Sequence, residues 1–197
     1  MTAQVLAVGC APSPSVGGRD PAGVRQRDQS HQVSEGFRSR LYHDAAGYCT
    51  IAYGHLLKKA RCDGTEPEEF KQGVTEPRGT EILHKDMNRA EIAVMRLVTP
   101  DLNDGQYGAL CDFVFNVGSG NLARSSLLKV VNARQYDRVP FQFRRWTFAG
   151  GKKLPGLKVR REKEIALFFE GIGIPRAAPS PDEDLTPIDV RTGEAVR

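Results

Sequence analysis

EGFRSRLYHDAAGYCTIAYGH, residues 35–55, gathers carboxylates, hydroxyls and aromatic residues more densely than a purely structural segment needs. From Leu41 to His55, the residues Tyr42, Tyr48, Thr50, Ile51 and Tyr53 favour strands and Ala45-Ala46-Gly47 supplies a turn, so a β-hairpin is expected. Glu35 precedes the helix breaker Gly36 and is expected at a helix end. Asp44 follows nine residues later at the hairpin turn, and Thr50 six residues further on the returning strand. Two carboxylates on separate elements can then face a shared gap. Glycoside hydrolysis needs such a pair: one carboxylic acid protonates the departing oxygen, and one carboxylate organises water or stabilises the cationic sugar. Spacing alone leaves a plainer alternative open, in which Glu35 ends a solvated helix and Asp44 is a turn residue.

Beyond this stretch the pattern becomes helical. Leu83, Met87, Ala90, Val94 and Leu97 are spaced by 4, 3, 4 and 3 and fall on one helix face. Asp104 is the expected cap of a helix carrying Tyr107, Leu110, Cys111 and Val114, with Gly118 and Gly120 as stops. Ser125 is expected to cap the next helix, and amphipathic pieces follow over about 136–147 and 157–170. The expectation is an α+β fold with a small β-hairpin lobe, a larger helical lobe, and a cleft between them suited to an extended ligand.

Composition sets the outer limits. A chain of 197 residues with 40% hydrophobic and 26% charged residues is an ordinary globular protein. The boundaries expected are a flexible leader over 1–32, a catalytic domain over 33–171 and a flexible, acidic, Pro-containing tail over 172–197. The middle carries 22 Lys+Arg against 17 Asp+Glu and the tail three Arg against five acids, so the charge is unevenly spread. Residues 134–163 hold ten Lys+Arg against Asp137 and Glu162, which reads as a solvated face or as a surface for acidic wall peptides. No nucleic-acid-reading motif accompanies them. Cys10, Cys49, Cys62 and Cys111 form no disulfide framework. Reduced thiols are expected, with Cys49 a packed strand thiol, though one Cys49–Cys62 bridge remains open. No apolar run reaches the roughly 20 residues a membrane span requires, and the N-terminus does not read as a signal peptide. His31, His43 and His84 show no metal-ligand spacing, so neither metal nor cofactor is expected.

EGFRSRLYHDAAGYCTIAYGH resembles the signature of the phage lysozyme family, glycoside hydrolase family 24, in which Glu, eight residues, Asp, five residues and Thr form the catalytic pattern. The similarity continues through LCDFVFNVGSGNLARSSLLKVVN at 110–132 and RRWTFAGGKKLPGLKVRREKE at 144–164. The resemblance implies an endolysin that hydrolyses the β-1,4 bond between N-acetylmuramic acid and N-acetylglucosamine in peptidoglycan. Glu35 would be the general acid, Asp44 the carboxylate on the water side, and Thr50 the hydroxyl that helps hold that water. It further implies substrate-side roles for His55, Asn116, Arg160 and Arg161. Where the family prefers Gly this chain has Ala52, an added methyl that could displace the site. The family reading also implies a monomer that waits in the host cytoplasm and reaches the wall through a membrane-permeabilising holin. Two rivals remain at this level: a catalytically silent wall-binding protein and a hydrolase of another amino-sugar polymer such as chitin. An amidase or peptidase is disfavoured, because no zinc-ligand set or Cys-His nucleophile pair can be recognised.

Overall fold

The computed structural model of the chain describes residues 36–44 and 47–196. The expected leader, Glu35 and the Ala45-Ala46 step of the turn lie outside the described residues. Two compact units divide between Arg89 and Ala90, inside one long helix.

The first unit is built on a three-stranded antiparallel sheet in the order β1 (Arg38–His43), β2 (Cys49–Ala52), β3 (His55–Lys58). The hairpin expected from the sequence is thus β1 and β2, with Tyr42 opposite Thr50 and His43 opposite Cys49. A third strand begins where the hairpin was expected to end, because Ala52 and Gly54 take positive φ values of 56° and 88° and reverse the chain. As the central strand, β2 has all four residues buried and so shows no in-out alternation. Helices α1 (Glu68–Lys71) and α2 (Glu76–Leu97) follow. Ile51, Ala52, Phe70 and Ile82 form a small core, flanked by Phe37, Leu41, Leu57 and Val74. Gly79 belongs to this packing: a Cβ there would lie 2.6 Å from Phe37 Cε2 and 3.3 Å from the Ala52 methyl. On α2, Leu83, Met87, Ala90 and Val94 are buried, as their spacing predicts.

Cys49 and Cys62 are joined by a disulfide, so the expectation of reduced thiols does not hold for this pair. The sheet decides the pairing. The Cys49 amide donates to Ala60 O at 2.7 Å, which folds the segment after β3 back over the end of β2 and brings Cys62 alongside. Cys111 is free and buried.

The second unit contains α3 (Asp104–Val117), α4 (Ser119–Arg124), α5 (Ser126–Asn132), a 3₁₀ turn at Tyr136–Arg138, α6 (Val139–Arg144), the short strands β4 (Phe148–Ala149) and β5 (Lys152–Lys153), and α7 (Pro155–Phe168). The cap of α3 is Asn103 rather than Asp104. Asn103 accepts from the Gln106 amide at 2.8 Å while the Gln106 side chain accepts from the Asn103 amide, a reciprocal capping box. Asp104 then sits in the first turn, where a negative charge favours the helix dipole. Gly118 ends α3, but Gly120 lies inside α4 and stops nothing. Ser125 caps α5 as expected, accepting from the Leu128 amide at 3.0 Å. Phe113, Phe143, Trp146 and Phe168 are wholly buried with Leu110, Leu122, Leu127 and Ile165. Phe113 meets Phe143 and Trp146 edge-on, the geometry that ring quadrupoles prefer.

The tail corrects the sequence reading from residue 183 onward. Ile188 is buried in the main helical core and Val190 packs against it. The buried Glu183 carboxylate accepts from Arg138 and Gln142. Composition suggested a solvated segment because acids and prolines dominate it. What binds it instead is two apolar side chains and a set of arginines that complement the acids.

Candidate active site

The turn after β1 holds Asp44 through its own backbone. The Asp44 amide donates to Tyr48 O at 3.0 Å, the Gly47 amide donates to Asp44 O at 2.8 Å, and the Asp44 carboxylate accepts from the Tyr48 amide at 2.8 Å. Asp therefore both closes the turn and carries its charge at the tip, a role that short acidic side chains perform well. Thr50 is 2% exposed, and its hydroxyl donates to Tyr48 O at 3.1 Å. Asp44 and Thr50 are thus both fastened to the main chain of one residue, Tyr48. With its proton given to Tyr48 O, the Thr50 hydroxyl turns acceptor lone pairs towards a third partner. Tyr48 was absent from the sequence-based site. Its contribution is made by main-chain atoms, which residue identity does not signal.

Ala52 is fully buried at the end of β2 in the left-handed region, φ 56°. The family preference for Gly there has this backbone as its physical reason, since only Gly enters the region without a Cβ penalty. The Ala52 methyl is accommodated by the missing side chain of Gly79.

His55 opens β3 and lies opposite Ile51. Its Nδ1 is 2.6 Å from Asp86 Oδ2 on α2, and its ring packs beside Phe70. The pair ties the sheet to the helix. Glu66 is a second buried acid that the sequence did not single out. It takes hydrogen bonds from the Asp63 and Gly64 amides and an ion pair from Lys58 at 2.8 Å. Lys58 and these amides hold the Glu66 carboxyl down to about 2. Cys49, Cys62 and Glu66 place potential ligand atoms within 4.8 Å of one another, but the two sulfurs are bonded to each other.

On the helical unit, Asn116, Arg160 and Arg161 belong to one polar cluster. Arg160 makes a forked pair with Asp112, Nε to Oδ2 at 3.2 Å and Nη2 to Oδ1 at 3.1 Å. Arg161 is wholly buried. Its Nη2 donates to Glu164 Oε1 at 2.6 Å and to Asn116 Oδ1 at 2.9 Å, and its guanidinium lies over the Phe113 ring. An arginine with no exposed surface has nothing to present to a substrate, so the expected substrate role of Arg161 is corrected to an internal one. Burial pushes the Glu164 carboxyl well above its usual range, against the pull of Arg161. Asp112 and Glu164, which bind the two arginines, were missed because acids inside a helical pattern read as solvated. Within the basic run 134–163, Arg138, Arg144, Arg145, Arg160 and Arg161 are all ion-paired. The reading of that run as a solvated face fails for Arg145 and Arg161, which are buried.

A small antiparallel sheet bearing Asp44 at its turn, followed by a helical unit, defines a lysozyme-like α+β protein. Solved structures agree: a point mutant of P22 lysozyme matches with a TM-score of 0.55 and 33% identity, covering 72% of this chain and 94% of that one. The active form of the phage P1 endolysin Lyz matches with a TM-score of 0.58 at 23% identity, over 76% of this chain and 85% of that one, which bears on the fold alone. The sequence profile of the phage lysozyme family matches residues 32–164. Among similar proteins are a SAR-endolysin of Bacteriophage PS119, 38% identical over 66% of this chain and 73% of the relative, and the endolysin of Salmonella phage P22, 36% identical over 68% and 89%. The chain belongs to the phage lysozyme family and is a glycoside hydrolase of the lysozyme class.

Proposed function

We propose that the chain hydrolyses the β-1,4 bond between N-acetylmuramic acid and N-acetylglucosamine, with Glu35 as general acid and Asp44 and Thr50 holding the attacking water. The observation that carries the reading is the fastening of both Asp44 and Thr50 to main-chain atoms of one residue, Tyr48. A water that donates one hydrogen to the Asp44 carboxylate and the other to the Thr50 hydroxyl has its remaining lone pairs directed away from both. As the bond breaks, Glu35 gives its proton to the departing oxygen, water adds to the anomeric carbon, and the water's proton passes to Asp44. This sequence inverts the anomeric centre and suits carboxyl groups roughly 6.5–9.5 Å apart. Asn116 has its Oδ1 occupied by Arg161, so its amide NH₂ is what it offers a sugar. Arg160, whose side chain is partly exposed, serves the substrate side, and His55 supports the strand that leads from Thr50.

Passage to the wall through a holin, residence in the host cytoplasm beforehand and action as a monomer accompany this reading. The endolysin names of its relatives support the attack on the wall itself. Mass spectrometry of fragments released from purified sacculi tests the chemistry. Reducing-end N-acetylmuramic acid in the wild type, and none with Glu35→Gln, is expected. Release of reducing-end N-acetylglucosamine, or cleavage of chitin with intact sacculi, would overturn the bond assignment.

A further inference from the structure

The family profile ends at residue 164, yet the chain continues for a segment that is anything but detached from the helical unit. Four groups of contacts seat it. Arg138 and Gln142 hold the Glu183 carboxylate, and Arg145 holds both Asp184 Oδ2 at 2.6 Å and Thr186 O at 2.8 Å. The Ile188 amide donates to Arg145 O at 2.7 Å and the Val190 amide to Phe148 O at 2.8 Å, so Asp189 forms a parallel bridge with Phe148 of β4. Asp189 Oδ2 accepts from the Gly151 amide at 2.7 Å, in the turn between β4 and β5. Val190 O accepts from Asn121 at 3.1 Å on α4.

These contacts converge on an element that is weak alone. The β4–β5 hairpin has two residues per strand, and its turn residues Gly150 and Gly151 both adopt positive φ. A two-stranded pair of this size is at best marginal in water. It leads directly into α7, whose N-cap Leu154 supplies no side-chain hydrogen bond. The start of α7 therefore rests on the hairpin, through Leu154 N to Thr147 O at 2.9 Å. The same helix carries Arg160 and Arg161.

We propose that residues 183–196 are a clasp that joins β4 through the Asp189–Phe148 bridge, doubles back through the turn after Asp189 to pair Ile188 with Ala195, and thereby fixes the β4–β5 hairpin and the entry of α7. The clasp is a positioning element beyond the family's matched region. Its acids bind arginines, Ile188 anchors it in the core, and Asp189 grips the turn. The inference is independent of the proposed reaction.

Amide hydrogen exchange on the full chain tests it. In the wild type, the amides of Gly151, Ile188 and Val190 are expected to exchange at least about 100-fold more slowly than in an unstructured peptide. Asp189→Ala leaves Ile188 in place and removes the grip on the turn. It should accelerate Gly151 at least about tenfold and speed Lys158, in the first turn of α7, while Ile51 in the sheet unit is unchanged. Ile188→Asp should release the segment and expose it to protease between residues 172 and 187, and Ile188→Val should restore protection. Should Ile188→Asp fail to fold, Asp189→Ala still decides. Fast exchange of Ile188 and Val190 in the wild type would overturn the clasp. Unchanged Gly151 and Lys158 exchange in Asp189→Ala would overturn its positioning role.

Discussion

At the scale of single residues, the site depends on where one proton and one carboxylate are held. Asp44 is kept in place by the Tyr48 amide, an interaction an amide side chain can reproduce, so Asp44→Asn should retain the turn while losing the charge proposed to hold the water. A fall in kcat of at least about 100-fold, equivalent to roughly 2.7 kcal/mol of barrier, is expected with an unfolding midpoint near that of the wild type. Sacculus-clearing rates and thermal unfolding of the same sample check both halves, and activity within tenfold of wild type would remove Asp44 from its role. Ala52 presents a different problem, since a residue at φ 56° with no exposed surface is under backbone strain and close packing together. Ala52→Val should cost more than about 2 kcal/mol in urea unfolding, because a β-branched side chain suffers at positive φ and its extra methyls press on α2 near Gly79. Ala52→Gly should stay within about 1 kcal/mol of wild type, relief of strain offsetting the lost methyl. The sequence showed the unusual Ala but not the angle that makes it unusual.

At the scale of elements, the segment after β3 is fixed by a charge cluster as well as by sulfur. Glu66 is drawn down to about 2 from 4.5 by Lys58 and by backbone amides, Asp63's first among them. A carboxyl depressed in the folded state contributes stability that is fully present above its unfolded value and is lost as pH falls through the folded one. The thermal midpoint should therefore decline between pH 4.5 and about 2, and Glu66→Gln should flatten the decline in that window. An identical pH profile in the variant would show that other carboxylates carry the acid sensitivity. The helices themselves were legible, since the 4, 3, 4, 3 spacing located the buried face of α2 and Ser125 marked the start of α5. Strand β3 was not, because His55, Leu56, Leu57 and Lys58 are too few to show a period and owe their pairing to the turn at Gly54.

At the scale of the whole molecule, the Cys49–Cys62 bridge closes a short loop, with a sequence separation of 13, between β2 and the segment beyond β3. Reduction should lower stability by about 2–3 kcal/mol, chiefly by freeing the unfolded chain, with the sheet unit most affected. Unfolding curves with and without a thiol reductant, and the same comparison for Cys62→Ser, test this; a variant equal in stability to the oxidised protein would show that the bridge constrains nothing. The sequence by itself determined the lysozyme class, the Glu35, Asp44 and Thr50 spacing, and most of the helices. Those features reside in local periodicity and in a motif whose gaps are counted along the chain. Only tertiary structure decided that Cys49 meets Cys62, that Arg161 is buried against Phe113 and Asn116, and that Ile188 carries the acidic tail into the helical core. Each of these depends on residues distant in sequence becoming neighbours, and on burial turning charges that read as solvated into partners, which composition and spacing do not encode.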